Sequence, residues 1–340
     1  MKPHRSRSRC VASLLLALFW ASPAVFAADT PALIGNWALT IPGGGAGWLG
    51  VSGPAGTPQA AILWGGGSVL PVDRVELNGG QLVLTRVHVA KEKNAAGQEV
   101  ETRSIETIRA TVSGDDLKLT TQTVGPDGQA GAAADFRGRR IPPVPAAPDL
   151  AKVRFGSPVV LFNGRDLTGW KLTEARAVNG WSAKDGLLIN LPMQASGQPH
   201  LSYGNLRTEQ EFEDFNLTLE TRPTEGSNSG VYLRGIYEVQ VIDSYGKPRD
   251  SHFMGAVYSR ITPSVSAEKP TGEWETLDIT LVDRHVTVIL NGRKIIDNQP
   301  VLGCTGGALW SDEFRPGPIY LQGDHAQIEY RNIVLRPVVK

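Results

Sequence analysis

Cysteine is nearly absent. The 340 residues contain only Cys10 and Cys304. Once a leader carrying Cys10 is removed (see below), no intramolecular disulfide can form. Cys304 has no second thiol or paired histidine at a zinc-ligand spacing, and reads as a small core hydrophobe. Net charge is missing too, with 34 basic against 34 acidic residues. No basic stripe or aromatic–basic interleaving occurs, which argues against nucleic acid as a partner. Beyond the first residues no apolar run approaches the ~20 needed to cross a bilayer. Gly43-Gly44-Gly45 and Gly65-Gly66-Gly67 lack the Lys-Ser/Thr that completes a phosphate-binding loop, so they read as connections. There is no long internal repeat and no heptad.

The first 27 residues have the three parts of an export signal. Lys2, Arg5, Arg7 and Arg9 form a basic start, Val11 to Trp20 an apolar stretch, and Val25-Phe26-Ala27 a small-x-small cleavage site. Cys10 precedes the apolar stretch and cannot be a lipid acceptor after cleavage. Cleavage would leave 30 basic and 34 acidic residues, a net charge near −4, in a periplasmic or secreted protein with no transmembrane segment. Length implies two domains. The boundary is the proline-rich Ile141-Pro142-Pro143-Val144-Pro145-Ala146-Ala147-Pro148, a stiff extended linker within 141–152.

Residues 28–140 read as short strands with glycine turns. Trp37 to Ile41 and Ala60 to Trp64 are strand-like. Val72 to Val89 is a hairpin hinged at Asn78-Gly79-Gly80, and Ile105 to Thr123 another hinged at Ser113-Gly114-Asp115-Asp116. Evenly spaced hairpins imply a small antiparallel β-barrel or β-sandwich. The opening Gly35-Asn36-Trp37 resembles the start of lipocalin-like barrels. No chemistry is assigned here; substrate or partner docking is the default expectation.

Residues 153–340 are also all-β. Phe215, Leu217 and Leu219 alternate with Asn216, Thr218 and Glu220. Leu277 to Leu281 leads into a hairpin with Val286 to Leu290 ending at Asn291-Gly292, and a last strand runs from Ile328 to Leu335. Some ten short strands imply a two-sheet jelly roll. The most informative stretch is Asn228 to Asp243. Val231, Leu233, Val239 and Val241 take one face, leaving Tyr232, Arg234, Glu238 and Gln240 on the other. A phenol, a guanidinium, a carboxylate and an amide suit the gripping of sugar hydroxyls and the movement of protons.

Leu161-Phe162-Asn163-Gly164-Arg165-Asp166-Leu167-Thr168-Gly169-Trp170 opens a series of ordered motifs. Asp214-Phe215, Asn228-Ser229-Gly230-Val231, Glu238-Val239-Gln240, Gly272-Glu273-Trp274, Asn291-Gly292, Gly317 to Gln322 and Tyr330-Arg331-Asn332-Ile333 follow. Together they resemble the 3-keto-disaccharide hydrolase domain family, with its concanavalin A-like jelly roll. Where the family reads Gln-Asp-His-Gly, this chain has Gln322-Gly323-Asp324-His325-Ala326. The resemblance implies cleavage of glycosides whose 3-hydroxyl is already a ketone. A base removes the C2 proton, an enolate forms on O3, the aglycone leaves C1 and water adds. Such chemistry needs a base, an enolate stabiliser and an acid or water at the leaving oxygen. The substrate is an oligosaccharide or glycoside, and a sugar 3-dehydrogenase would supply it.

The candidate catalytic residues are Glu238, His325 and Asp243. Histidine suits proton abstraction near neutrality, and Asp243, beside Ser244-Tyr245-Gly246, is either a turn former or an acid or metal ligand. Candidate substrate-binding residues are Arg234, Tyr232, Gln240, Glu220, Arg222 and Gln322, expected on one sheet face with Tyr320. Arg234 is expected to project from the sheet and meet Glu238 across adjacent strands; its alternative role is a surface ion pair. His252 and His200 lie in polar loops. No metal is assigned, and a divalent cation stays open. Two rival readings remain. Glu238-x-Gln240-x-x-Asp243 has the spacing of the Glu-x-Asp-x-x-Glu strand of retaining glucanases. Alternatively Trp181, Trp310 and Tyr232 are stacking platforms of a non-catalytic carbohydrate-binding module, although tryptophan is as readily core.

Overall fold

A computed structural model describes residues 32–54, 56–78, 80–93, 97–194 and 201–339. The leader and His200 fall outside them. Among the described residues the N-terminal part is one nine-stranded antiparallel sheet. The chain meanders from Gly35–Thr40 to Leu70–Pro71 and again from Arg74–Asn78 to Ala134–Ile141, and that last strand returns beside the first. The two edge strands are thus consecutive in sequence, and the sheet curls around its own core. Trp37, Leu39, Leu49, Ile62, Leu82, Leu84, Ile108, Leu117 and Phe136 fill it. The expected hairpins form in register, Asn78 opposite Gln81 and Ser113 opposite Asp116.

The C-terminal part packs an eight-stranded sheet on a five-stranded one, the two-sheet sandwich expected. Phe215–Pro223 is central in the larger sheet, between Glu275–Val282 and Ile328–Pro337. Strict alternation sends Phe215, Leu217 and Leu219 inward, where they meet Val231, Leu233, Val239 and Val241 of the smaller sheet. Asn228–Leu233 and Tyr237–Ile242 form the hairpin at that sheet's edge. At its tip Arg234 and Gly235 have φ of 54° and 70°, and the Ile236 amide donates to the Leu233 carbonyl at 3.1 Å. That is a mirror-image turn, unusual for arginine.

The two parts share packing. Ala46, Trp48, Leu63 and Ile141 join the jelly-roll core. Ser311 Oγ donates to the Leu39 carbonyl at 2.7 Å. Arg284 donates to the Pro142 and Pro143 carbonyls, and Asn298 to that of Pro148, so the proline segment is pinned along the sandwich. Cys304 is buried at this junction, and burial pushes its thiol up to about 12.

Candidate active site

Both faces of the hairpin are covered, which alternation alone does not reveal. Val231 and Val239 point into the sandwich. On the outer face Tyr232 is 1 % exposed, and Glu238 and Gln240 are 3 % exposed each. The cover is the Thr305–Gly307 loop: the Tyr232 hydroxyl donates to the Gly306 carbonyl at 2.7 Å, and the Glu238 amide to Thr305 Oγ1 at 2.9 Å. Beside this cover a cleft of about 350 Å³ remains, lined by Asn228, Tyr232, Glu238, Gln240, Tyr258, Gln322, His325 and glycines 66, 67, 306 and 307. A larger groove of about 640 Å³ runs between the two parts of the chain. Its buried acid, Glu313, is already paired with Arg284 at 3.1 Å, so the smaller cleft is the better candidate.

Glu238 dominates the cleft. Burial without a compensating cation raises its carboxyl from an ordinary value near 4.5 to about 8, and the Tyr232 phenol beside it offsets only part of that. The carboxyl therefore holds its proton at neutral pH. Space for it is cleared by Gly230, where an added Cβ would lie 2.2 Å from Glu238 Oε1. With its amide nitrogen turned inward, Gln240 donates to Glu238 Oε1 and the Ser229 carbonyl, each at 3.1 Å. Tyr232 stacks on Tyr320, centroids 4.0 Å apart, and burial raises both phenols further.

His325 sits at the exposed rim. Its loop is held from below by Asn190, fully buried, whose amide donates to the carbonyls of Gly323 and Ala326 at 2.7 and 3.2 Å. Asp324 accepts the Tyr203 amide at 2.8 Å. The glycine preceding Asp324 is required there, since a Cβ at 323 would meet the Gly204 carbonyl at 2.6 Å.

The structure thus brings together Glu238, His325, Tyr232, Gln240 and Gln322. It does not bring the others. Arg234 is not on a projecting face opposite Glu238. Glu238 pairs with Tyr232, while Arg234, in the turn, is 3 % exposed, donates to the Glu313 carbonyl and lies over Tyr237. Glu220 and Arg222 are on the larger sheet, paired with Arg331 and Glu329; their phase is outward, but from the wrong sheet. Asp243 accepts from Thr271 Oγ1 at 2.6 Å and the Gly226 amide at 3.1 Å, bonds that lower its pKa, and it lies away from the cleft. Trp181 is buried and donates to the Gly204 carbonyl, and Trp310 is covered by Arg315, so neither is an open platform. Among the described residues no three carboxylate, histidine or cysteine side chains gather into a metal site. Nothing in the local pattern of Tyr258 or of the positioning Asn190 marks them in the sequence, and Asn228 is marked there only as the start of the Asn228-Ser229-Gly230-Val231 motif.

The family described as 3-keto-alpha-glucoside-1,2-lyase-like domain matches residues 157–336, more than half of the chain. A 3-keto-disaccharide hydrolase from Bacteroides thetaiotaomicron is 23% identical, over 41% of this chain and 57% of that protein. This chain therefore spans little more than half the length of that relative. A crystal structure from Parabacteroides distasonis, provisionally described as a glycosyl hydrolase, is 28% identical, covering 58% of this chain and 93% of that one at a TM-score of 0.44. A GH16 endo-beta-1,3(4)-glucanase aligns with 11% identity over 58% of this chain and 93% of its own, at a TM-score of 0.35.

Proposed function

Because the chain belongs to the 3-keto-alpha-glucoside-1,2-lyase-like domain family, we propose that its cleft cleaves glycosidic bonds of sugars already oxidised to ketones at C3. The observation that carries this reading is a buried, protonated carboxyl, Glu238, facing the same polar cleft as the solvent-accessible imidazole of His325. In this scheme His325 takes the C2 proton of the bound keto sugar. The electron pair moves into the enolate at O3, met by amide donors from Asn228 or Gln322. Collapse of the enolate restores the ketone, forms the C1–C2 double bond and breaks the C1–O bond. Glu238 delivers its proton to the departing oxygen. Water then adds across the double bond, and the net reaction is hydrolysis. A sugar 3-dehydrogenase would supply the substrate, and the leader at residues 1–27 would place the reaction in the periplasm or outside the cell.

A retaining glycosidase is less well supported. It needs two carboxylates ~5 Å apart, and Glu238 is the only carboxylate among the described residues lining the cleft. Early product analysis tests the scheme. A reaction stopped at low conversion should contain an unsaturated keto sugar, and deuterium at C2 should slow turnover where proton removal limits the rate. A glycosyl-enzyme adduct, with no effect of C2 deuterium on kcat/KM and no unsaturated sugar, would contradict it.

A further inference from the structure

We propose that the N-terminal domain belongs to the substrate site: its Gly66–Ser68 segment forms one wall of the cleft and sets how large an aglycone enters. The inference rests on the cleft being the sugar site proposed above.

Gly66 and Gly67 line the same cleft as Glu238 and His325 although some 170 residues or more separate them in sequence. The wall is fastened to the jelly roll on both sides. The Gly307 amide donates to the Gly65 carbonyl at 3.3 Å, and the Val69 amide to Ser259 Oγ at 2.9 Å. Gly306 packs so closely that a Cβ there would lie 2.1 Å from the Gly67 carbonyl oxygen. Between these anchors Ser68 Oγ meets His252 Nε2 at 2.8 Å, and His252 Nδ1 meets Asp250 Oδ1 at 2.5 Å. His252 also packs edge-on against Tyr258, another lining residue, at 5.0 Å.

The order Ser68–His252–Asp250 is that of a nucleophilic triad. Its exposure decides against that role. The His252 and Asp250 side chains are 40% and 51% exposed, whereas the carboxylate of a working triad is buried and orients its histidine in a water-excluded site. The array is a clasp that holds the wall.

The wall is bare by composition. Gly66 has an ordinary φ, and an added Cβ would meet nothing within 4 Å. Bulk can therefore be placed there without strain in the fold, and it would take room from a cleft at the small end of ligand pockets, ~300–1,000 Å³. In a hydrophobic pocket one methylene shifts discrimination by ~10-fold or more, and a phenyl ring is several times larger.

The test is Gly66→Phe in the full chain, assayed with a 3-keto-disaccharide and with the methyl 3-keto-glucoside. Gly56→Phe, in another open turn of the same domain where a Cβ also meets nothing, is the control. KM for the disaccharide should rise ~10-fold or more in Gly66→Phe with kcat little changed, the pattern of lost uniform binding. The methyl glycoside should change less than about threefold, and Tm should stay within about 2 °C of wild type. Gly56→Phe should behave as wild type. An active wild type with Gly66→Phe unaltered on both substrates overturns this inference and leaves the proposed function standing. A wild type that turns over neither substrate overturns the proposed function, and the inference with it.

Discussion

Glu238→Gln should lose ~10²–10⁴-fold in turnover, the usual worth of a general acid or base, and should also make the protein more stable above neutral pH. The two effects have one cause. The folded state holds the Glu238 proton more tightly than the unfolded chain, with a pKa raised from near 4.5 to about 8 by burial. A raised carboxyl pKa contributes stability that is complete below the unfolded value and disappears as pH rises through the folded one. Wild-type stability should therefore fall between about pH 4.5 and about 8, by as much as ~1.4 kcal/mol per pH unit from this group alone. Glutamine keeps the shape without the charge and removes that slope. Denaturation across this range should show the variant pulling ahead of wild type and levelling off above pH 8. Parallel profiles would mean that Glu238 is not desolvated as described. The same pKa places the alkaline limb of the rate profile: an acid that must carry its proton loses activity as pH passes about 8.

Arg234→Ala should destabilise the fold by ~1.5–3 kcal/mol, the range for a lost hydrogen bond from a charged group. Leu233→Ala, its inward neighbour, should cost a similar ~2–5 kcal/mol. Arg234 is 3 % exposed, held in a left-handed turn, and satisfies the Glu313 carbonyl beneath the Arg284–Glu313 pair. Its loss strips a cation from beside Glu313 and Tyr237, both of which sense its field. Denaturant titration measures the difference. A variant with wild-type stability and no turnover would instead place the guanidinium against substrate, as expected of a residue projecting from the sheet.

That contrast shows what alternation in a sequence can and cannot tell. A period of two assigns Val231 and Leu233 to one face and Tyr232 to the other, and the structure agrees. It says nothing about what lies on the second face. Here the cover is Thr305–Gly307, more than sixty residues along the chain, so polar side chains that read as exposed are buried. Nor does it say which sheet a strand joins. Glu220 and Gln322 are both outward in phase, yet Glu220 pairs with Arg331 on the larger sheet and Gln322 enters the cleft. The hairpins and the inward faces are legible because each depends on near neighbours in the chain, whereas the sandwich, whose central strand Phe215–Pro223 pairs with Ile328–Pro337, is legible from the number of short strands and the ordered motifs. The wall at Gly66–Gly67 is not, because a triple glycine carries no mark of what it approaches. Gly230 shows the same gap in reverse. Its place opposite Gln240 is visible in the pairing, but its purpose, room for the Glu238 carboxyl, appears only in three dimensions.

Cleavage of a 3-keto-glucoside compared with its unoxidised parent, at equal concentration and by the same purified protein, tests the account most directly. Without the ketone a C2 carbanion has no oxygen to carry its charge, and the donors in this cleft cannot replace one. The aglycone should be released from the keto sugar alone, with the parent glycoside intact. Efficient hydrolysis of the unoxidised parent would contradict it.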